Sequence, residues 1–156
     1  MQGVIGMKDS SPDAIDSRIL GLLRQNSRMS GSDISKHVHM SIPAVSERLR
    51  KLEENGIINR YTLQCDREKL NLPLTAYLLV SIDRPENIEP FRSLMKGQEC
   101  VLECHHIAGE YDYLLKVVVK STKALEDFIT NKMKKSAGVA KSNTIIVLST
   151  VKEEVL

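Results

Sequence analysis

No apolar run in this chain approaches the ~18 residues that a membrane-spanning helix needs, so that class of protein is excluded at the outset. Cysteine is scarce and odd in number: Cys65, Cys100 and Cys104 do not make a disulfide framework and fit a reducing compartment. Charge of one sign is lacking too. The 22 Lys and Arg nearly balance 20 Asp and Glu, so composition names no partner, and a nucleic-acid reading must rest on where charge is placed. There is no G-x-S-x-G, no phosphate-cradling glycine loop and no metal-ligand motif, which leaves catalysis little support and the expected set of cofactors and metals empty. The start shows no basic region followed by a sustained apolar core, so no signal peptide and a cytoplasmic location are expected.

What is present is 42% hydrophobic and 27% charged residues in a chain of 156, the composition of a soluble globular protein. Two small domains in that length would each have a thin core and need an oligomer partner. Residues 1–11 lack periodicity and read as a disordered lead. From Asp13 the pattern changes, with Ile15, Ile19, Leu22 and Leu23 on one face of a helix that ends near Asn26 or Ser27. Ser30, with Asp33 three residues on, announces a second, short helix carrying Ile34 and Val38 inward. Ser41 then caps a third, Pro43 is tolerated in its first turn, and Val45, Leu49 and Leu52 form an apolar stripe that stops at Asn55-Gly56. Three short helices with a tight second-to-third connection predict a helix-turn-helix, followed by a strand over 57–63.

With that stripe turned inward, ~100° per residue places Pro43, Ala44, Ser46, Glu47, Arg50 and Lys51 toward solvent and Arg48 at the border. Together with the capping Ser41, these are the candidate DNA-contacting residues. Small residues at the helix start permit close approach to base edges, Ser46 donates or accepts, and Arg50 and Lys51 reach phosphates or a guanine. A solvated charged face is the alternative, and the helix alone does not separate the two.

The remainder alternates strand and helix signals: strand 75–83, helix 88–96, strands 101–108 and 113–119 joined by Gly109-Glu110-Tyr111-Asp112, helix 122–134 and strand 142–151. The expected class is therefore α+β, an N-terminal winged-type helix-turn-helix with its strand linker over 12–66 and a ferredoxin-like βαββαβ domain over 67–156. A four-stranded sheet with helices on one face leaves the other uncovered, and apolar residues on both sides of Leu114–Val119 and Ile145–Leu148 predict that a second copy covers it. The Cys100-x-x-x-Cys104-His105-His106 cluster is a poor zinc site, because in extended chain its cysteines stand ~13 Å apart. His105 and His106 are expected on opposite sheet faces, one core-facing and the other half-exposed or at an interface.

Ser32 through Leu52, SDISKHVHMSIPAVSERLRKL, between DAIDSRILGLLRQNSRMS and EENGIINRYTLQCD, resembles the N-terminal half of the Lrp/AsnC (leucine-responsive/asparagine regulator) family, and Ile107 through Leu115, IAGEYDYLL, resembles that family's effector-sensing module. The resemblance runs from about Asp13 to Lys152. It implies a sequence-specific transcriptional regulator that binds double-stranded DNA, and an amino acid or related metabolite sensed at Gly109, Glu110, Tyr111 and Asp112 between dimers that assemble further, often to an octamer. Asp112 has a second reading, a turn residue bonded to local amides. His39 departs from the family, which usually places glycine in the turn before the recognition helix, where a positive φ is eased. Siroheme decarboxylases share the two-domain plan, and His105 with His106 keeps that enzyme reading as an alternative, as is an effector-independent architectural DNA binder.

Overall fold

The computed structural model describes residues 11–135 and 138–154, and the expected disordered lead lies, apart from Ser11, outside them. The chain divides into two compact units, the first built on residues up to Gln64 and the second on Cys65–Glu153.

The first unit is three helices, α1 Ala14–Gln25, α2 Gly31–Val38 and α3 Ile42–Glu54. Each start is fixed by a side chain that takes up first-turn amides with no intrahelical partner. Asp13 accepts from the Ile15 and Asp16 amides while Asp16 accepts from the Asp13 amide, a full capping box. Ser30 accepts from the Asp33 amide and donates to the Asp33 carboxylate, and Ser41 accepts from the Ala44 amide. Ile19, Leu23, Ile34, Val38, Val45 and Leu52 form the core. The strand expected over 57–63 is not formed. The Ile57 and Ile58 amides instead turn back to the Leu52 carbonyl at 2.9 and 3.0 Å, and Tyr61 and Leu63 beyond them stand exposed, paired with no strand among the described residues.

The second unit runs β1 Leu74–Ile82, α4 Ile88–Lys96, β2 Val101–His106, β3 Tyr113–Val119, α5 Thr122–Asp127 and β4 Val139–Ile146. The antiparallel sheet has the order β2-β3-β1-β4, as a βαββαβ plan requires. Ala76, Leu78 and Val80 of β1 and Tyr113, Leu115, Val117 and Val119 of β3 pack beneath Phe91, Met95, Leu125, Phe128 and Met133. α5 passes without a break into a π-helical stretch, Phe128–Lys134.

β4 begins and ends earlier than the 142–151 expected from the apolar run. Its register against β1, from Val139 opposite Ile82 to Ile146 opposite Ala76, sets the limits. Past Val147, whose amide reaches Thr75, β1 offers nothing further, and Leu148 is 97% exposed. The outer sheet face is also less apolar than expected. Lys116, only 9% exposed, sits on it and bonds Glu103 of β2 at 3.1 Å and Glu153 at 2.5 Å, with Arg67 on Glu153 at 2.7 Å.

Candidate DNA-reading helix and effector hairpin

The turn between α2 and α3 decides how α3 is presented. His39 ends α2 in the left-handed region, at φ 55° and ψ 45°, so the residue in the glycine-favouring position takes the glycine-like conformation. Its amide and that of Met40 both return to the Ser35 carbonyl. Arg18 of α1 donates to the His37 carbonyl at 2.7 Å, placing a cation at the C-terminal end of α2.

On α3, Ser41, Pro43, Ser46, Glu47, Arg50 and Lys51 are exposed, Ala44 is half-buried and Ser41 is engaged as the cap. Arg48 is half-buried and turned inward, donating through one nitrogen to Asp13 at 2.8 Å and Asp16 at 2.7 Å. Arg50 meets two carboxylates of its own helix, Glu47 through Nε and Nη2 at 2.9 and 2.6 Å and Glu54 through Nη1 at 2.5 Å, and Lys51 also reaches Glu47. The Arg50 guanidinium holds the Glu47 carboxyl at about 2, far below its ordinary value. Free of DNA, this face is thus charged in detail but nearly neutral in sum.

The hairpin between β2 and β3 is tied to the strands beside it. Gly109 lies at φ 151°, outside the ordinary range of side-chain-bearing residues. Glu110 is ion-paired with Lys141 of β4, whose ammonium also lies 4.8 Å from the Tyr111 ring centre. Asp112 accepts from the Ile82 amide at 2.8 Å through its carboxylate, and its own amide donates to the Val80 carbonyl. Asp112 therefore has the amide-binding role that its turn reading gives it, although the amide belongs to β1 and not to the hairpin. Beside it opens a cavity of about 210 Å³ lined by Ile82, Asp83, Arg84, Pro85, Ile88, His106, Asp112 and Tyr113. Sequence reasoning missed Asp83 and Arg84 as neighbours of the hairpin. The pairing of β1 with β3 brings them there, whereas Tyr113 follows the hairpin in the chain.

His105, opposite Leu114, and His106, opposite Tyr113, point to opposite faces of the sheet and do not converge. His105 contacts Glu103 at 3.2 Å on the outer face, while the His106 ring lies 5.2 Å from that of Tyr113. His106 is thus the one on the core side of the sheet, as expected of one of the pair, but both are exposed because β2 is an edge strand. Arg92 of α4 donates to the Tyr113 hydroxyl at 2.8 Å, fixing from the helix side a ring that lines the cavity.

Residues 12–59 match the model of a winged helix-turn-helix DNA-binding domain, and residues 75–156 that of the Lrp/AsnC ligand binding domain. The chain belongs to the Lrp/AsnC family. Two Bacillus subtilis relatives are the HTH-type regulators YezC, 36% identical over 88% of this chain and 94% of that protein, and LrpC, 34% identical over 89% and 93%. The leucine-responsive regulatory protein of Escherichia coli is 32% identical over 90% of this chain and 87% of its own length. Among solved structures, a Neisseria meningitidis transcriptional regulator in complex with L-methionine superposes with a TM-score of 0.88 at 30% identity, covering 92% of this chain and 94% of that one. The chain is thus a DNA-binding transcriptional regulator with a ligand-binding second domain, like the other Lrp/AsnC members. No helix among its described residues is long and apolar enough to cross a membrane.

Proposed function

We propose that the regulator reads operator DNA through Ser41, Pro43, Ala44, Ser46, Glu47, Arg50 and Lys51, and that Arg48 serves the same face from behind. The observation that carries this reading is the exposed N-terminal half of α3, where Pro43, Ala44 and Ser46 leave room for base edges and Arg50 and Lys51 follow within two turns. Binding then exchanges the carboxylates on Arg50 for phosphate or guanine oxygens. One such helix buries little, so affinity comes from phosphate neutralisation and from duplication of the head in a dimer, on sites of two-fold symmetry.

The effector in this reading is an amino acid, taken at Gly109, Glu110, Tyr111 and Asp112 and the cavity beside them. That cavity offers both signs of charge, Arg84 for a carboxylate and Asp112, with Asp83 beside it, for an ammonium, the complement of a zwitterion. The outer sheet face, with Tyr77, Leu79, Leu114, Val118 and Ile145 around Lys116, is where a second copy docks, and further assembly leads to an octamer in the cytoplasm. Selection of bound DNA fragments from a random library, with and without each of the twenty amino acids, tests the reading. A two-fold symmetric site whose occupancy changes with one amino acid is the expected result; unselective recovery of DNA, or a stable monomer in sedimentation at micromolar concentration, defeats it.

A further inference from the structure

The helix after β3 changes pitch half-way along, and the buried positions say why. Leu125, Phe128 and Met133 are all buried, the last two five residues apart. At ~100° per residue an α-helix would carry Met133 about 140° round from Phe128 and out of the core. The wider π turn, closing i to i+5 bonds, returns it beneath Phe128. The same register puts Lys132, Lys134 and Lys135, which flank Met133, into solvent, and all are exposed.

Opposite charge is missing around them. From Phe128 to Lys152 the sequence has five lysines and no Asp or Glu. Elsewhere in the same domain Arg67, Lys69, Arg84, Arg92, Lys116 and Lys141 each meet a carboxylate, as do Arg48, Arg50 and Lys51 on α3, while Lys96, Lys120 and Lys123, unpaired among the described residues, are not gathered within one helical turn. Among the described residues none lies within ion-pair distance of Lys132, Lys134 or Lys135, and Asp127, the nearest acid before them in the helix, accepts from Asn131 instead. A cation at a helix C-terminus gains from the helix dipole, but three close together repel one another unless an anion is shared. The cluster spans about one turn, on the order of 5 Å of axis, over which a DNA duplex carries about three phosphate charges.

We propose that Lys132, Lys134 and Lys135 form a second, sequence-independent DNA contact, a phosphate-binding surface on the ligand-binding domain that engages duplex flanking the site read by the helix-turn-helix. DNA contact is then shared between a selective head that is electrostatically quiet and a body that supplies attraction without selectivity.

The test uses the full chain and two duplexes, a selected site of about two helical turns and the same site extended by about three turns of arbitrary sequence on each side. Wild type should bind the extended duplex more tightly and with the steeper salt dependence. The variant Lys132→Gln/Lys134→Gln/Lys135→Gln should lose that excess, its log affinity against log salt slope falling by about 2 to 3 on the extended duplex, while short-duplex affinity and melting temperature stay the same. Replacing the three by arginine should preserve the gain and guards against a folding defect in the glutamine variant. Removing equal charge elsewhere, with Lys69→Gln/Lys96→Gln/Lys123→Gln, should leave the gain in place. The proposal is overturned by a wild type that gains nothing from the flanks, a glutamine variant that keeps the gain, or a control that loses as much.

Discussion

Arg48 of α3 lies 2.7 Å from the Asp16 carboxylate of α1, and that carboxylate also closes the capping box that starts α1. The bond joins the presentation of α3 to the N-terminus of a helix 32 residues away in sequence. Replacing Arg48 by methionine keeps much of the packing stem and removes the charge. The expected cost to the first domain, discounted for partial exposure, is about 1 kcal/mol, read by chemical denaturation. DNA affinity should fall by a similar factor on every sequence, whereas a changed base preference would make Arg48 a direct reader.

Arg50 should behave in the opposite way. Its guanidinium is exposed and, among the described residues, held by carboxylates of its own helix, pairs that contribute little in water. Arg50→Ala should leave the melting temperature in place and weaken binding to the selected site roughly tenfold or more, with loss of preference at one base position if the contact is to guanine. An even loss across all sequences assigns Arg50 to a phosphate, and unchanged binding removes it from the interface.

The acid limb of stability follows from the same carboxylates. Glu47 is lowered from 4.5 to about 2 by Arg50, Asp13 is lowered by the Asp16 amide and then by Arg48, and Glu153 is lowered by Lys116 and Arg67. Groups depressed on folding stabilise fully above their unfolded values and lose that contribution as pH falls through the folded ones. Lys116, raised above 10.5 first by Glu153, contributes fully below 10.5 and loses its share as pH rises through the folded value. Melting temperature should therefore hold between 4.5 and 10.5 as far as these groups decide it, then decline on both sides. Lys116→Met should flatten the alkaline decline, and an unaltered decline would mean that other groups cause it.

His39 gives a prediction of opposite sign. A side chain at φ 55° carries a Cβ penalty of about 1 kcal/mol that glycine avoids, partly offset by glycine's freedom in the unfolded chain. His39→Gly should raise the stability of the first domain by about 0.5 kcal/mol and His39→Val should lower it, both measured by denaturant midpoint. If glycine destabilises, the histidine ring is making a contact worth more than the strain.

The elements were legible where their determinants are local. Asp13, Ser30 and Ser41 announce helix starts by their own capping chemistry, and Gly56, at φ 70°, is the stop it reads as. The strand signal over 57–63 is also local, but a strand needs a partner, and alternation cannot supply one. β4 was misplaced for the related reason that apolar Leu148 and Val151 outweigh small and polar residues in the pattern, while pairing with β1 selects Val139–Ile146. The π turn follows from packing Met133 under the same core as Phe128, a requirement invisible until β1 and β3 are in place. In the candidate site, periodicity placed Arg48 at a border but could not name Asp13 and Asp16. It offered a local amide for Asp112, whereas the bond crosses 30 residues to Ile82.

That bond makes Asp112 the position where structural and ligand-binding roles can be separated by experiment. Its Oδ2 accepts the Ile82 amide at 2.8 Å, and the cavity lined by Arg84 and His106 opens on the same residue. Asparagine retains an oxygen for the amide but gives up the charge, whereas alanine gives up both and leaves a half-buried amide unpaired. Asp112→Asn should therefore melt near wild type and Asp112→Ala should lose about 1 to 2 kcal/mol. In a thermal-shift screen of the twenty amino acids, a ligand that uses the Asp112 charge should stabilise wild type and fail to stabilise Asp112→Asn. A shift of full size in Asp112→Asn would leave Asp112 a purely structural residue and move the ligand's ammonium to Asp83, where Asp83→Asn should then abolish the shift.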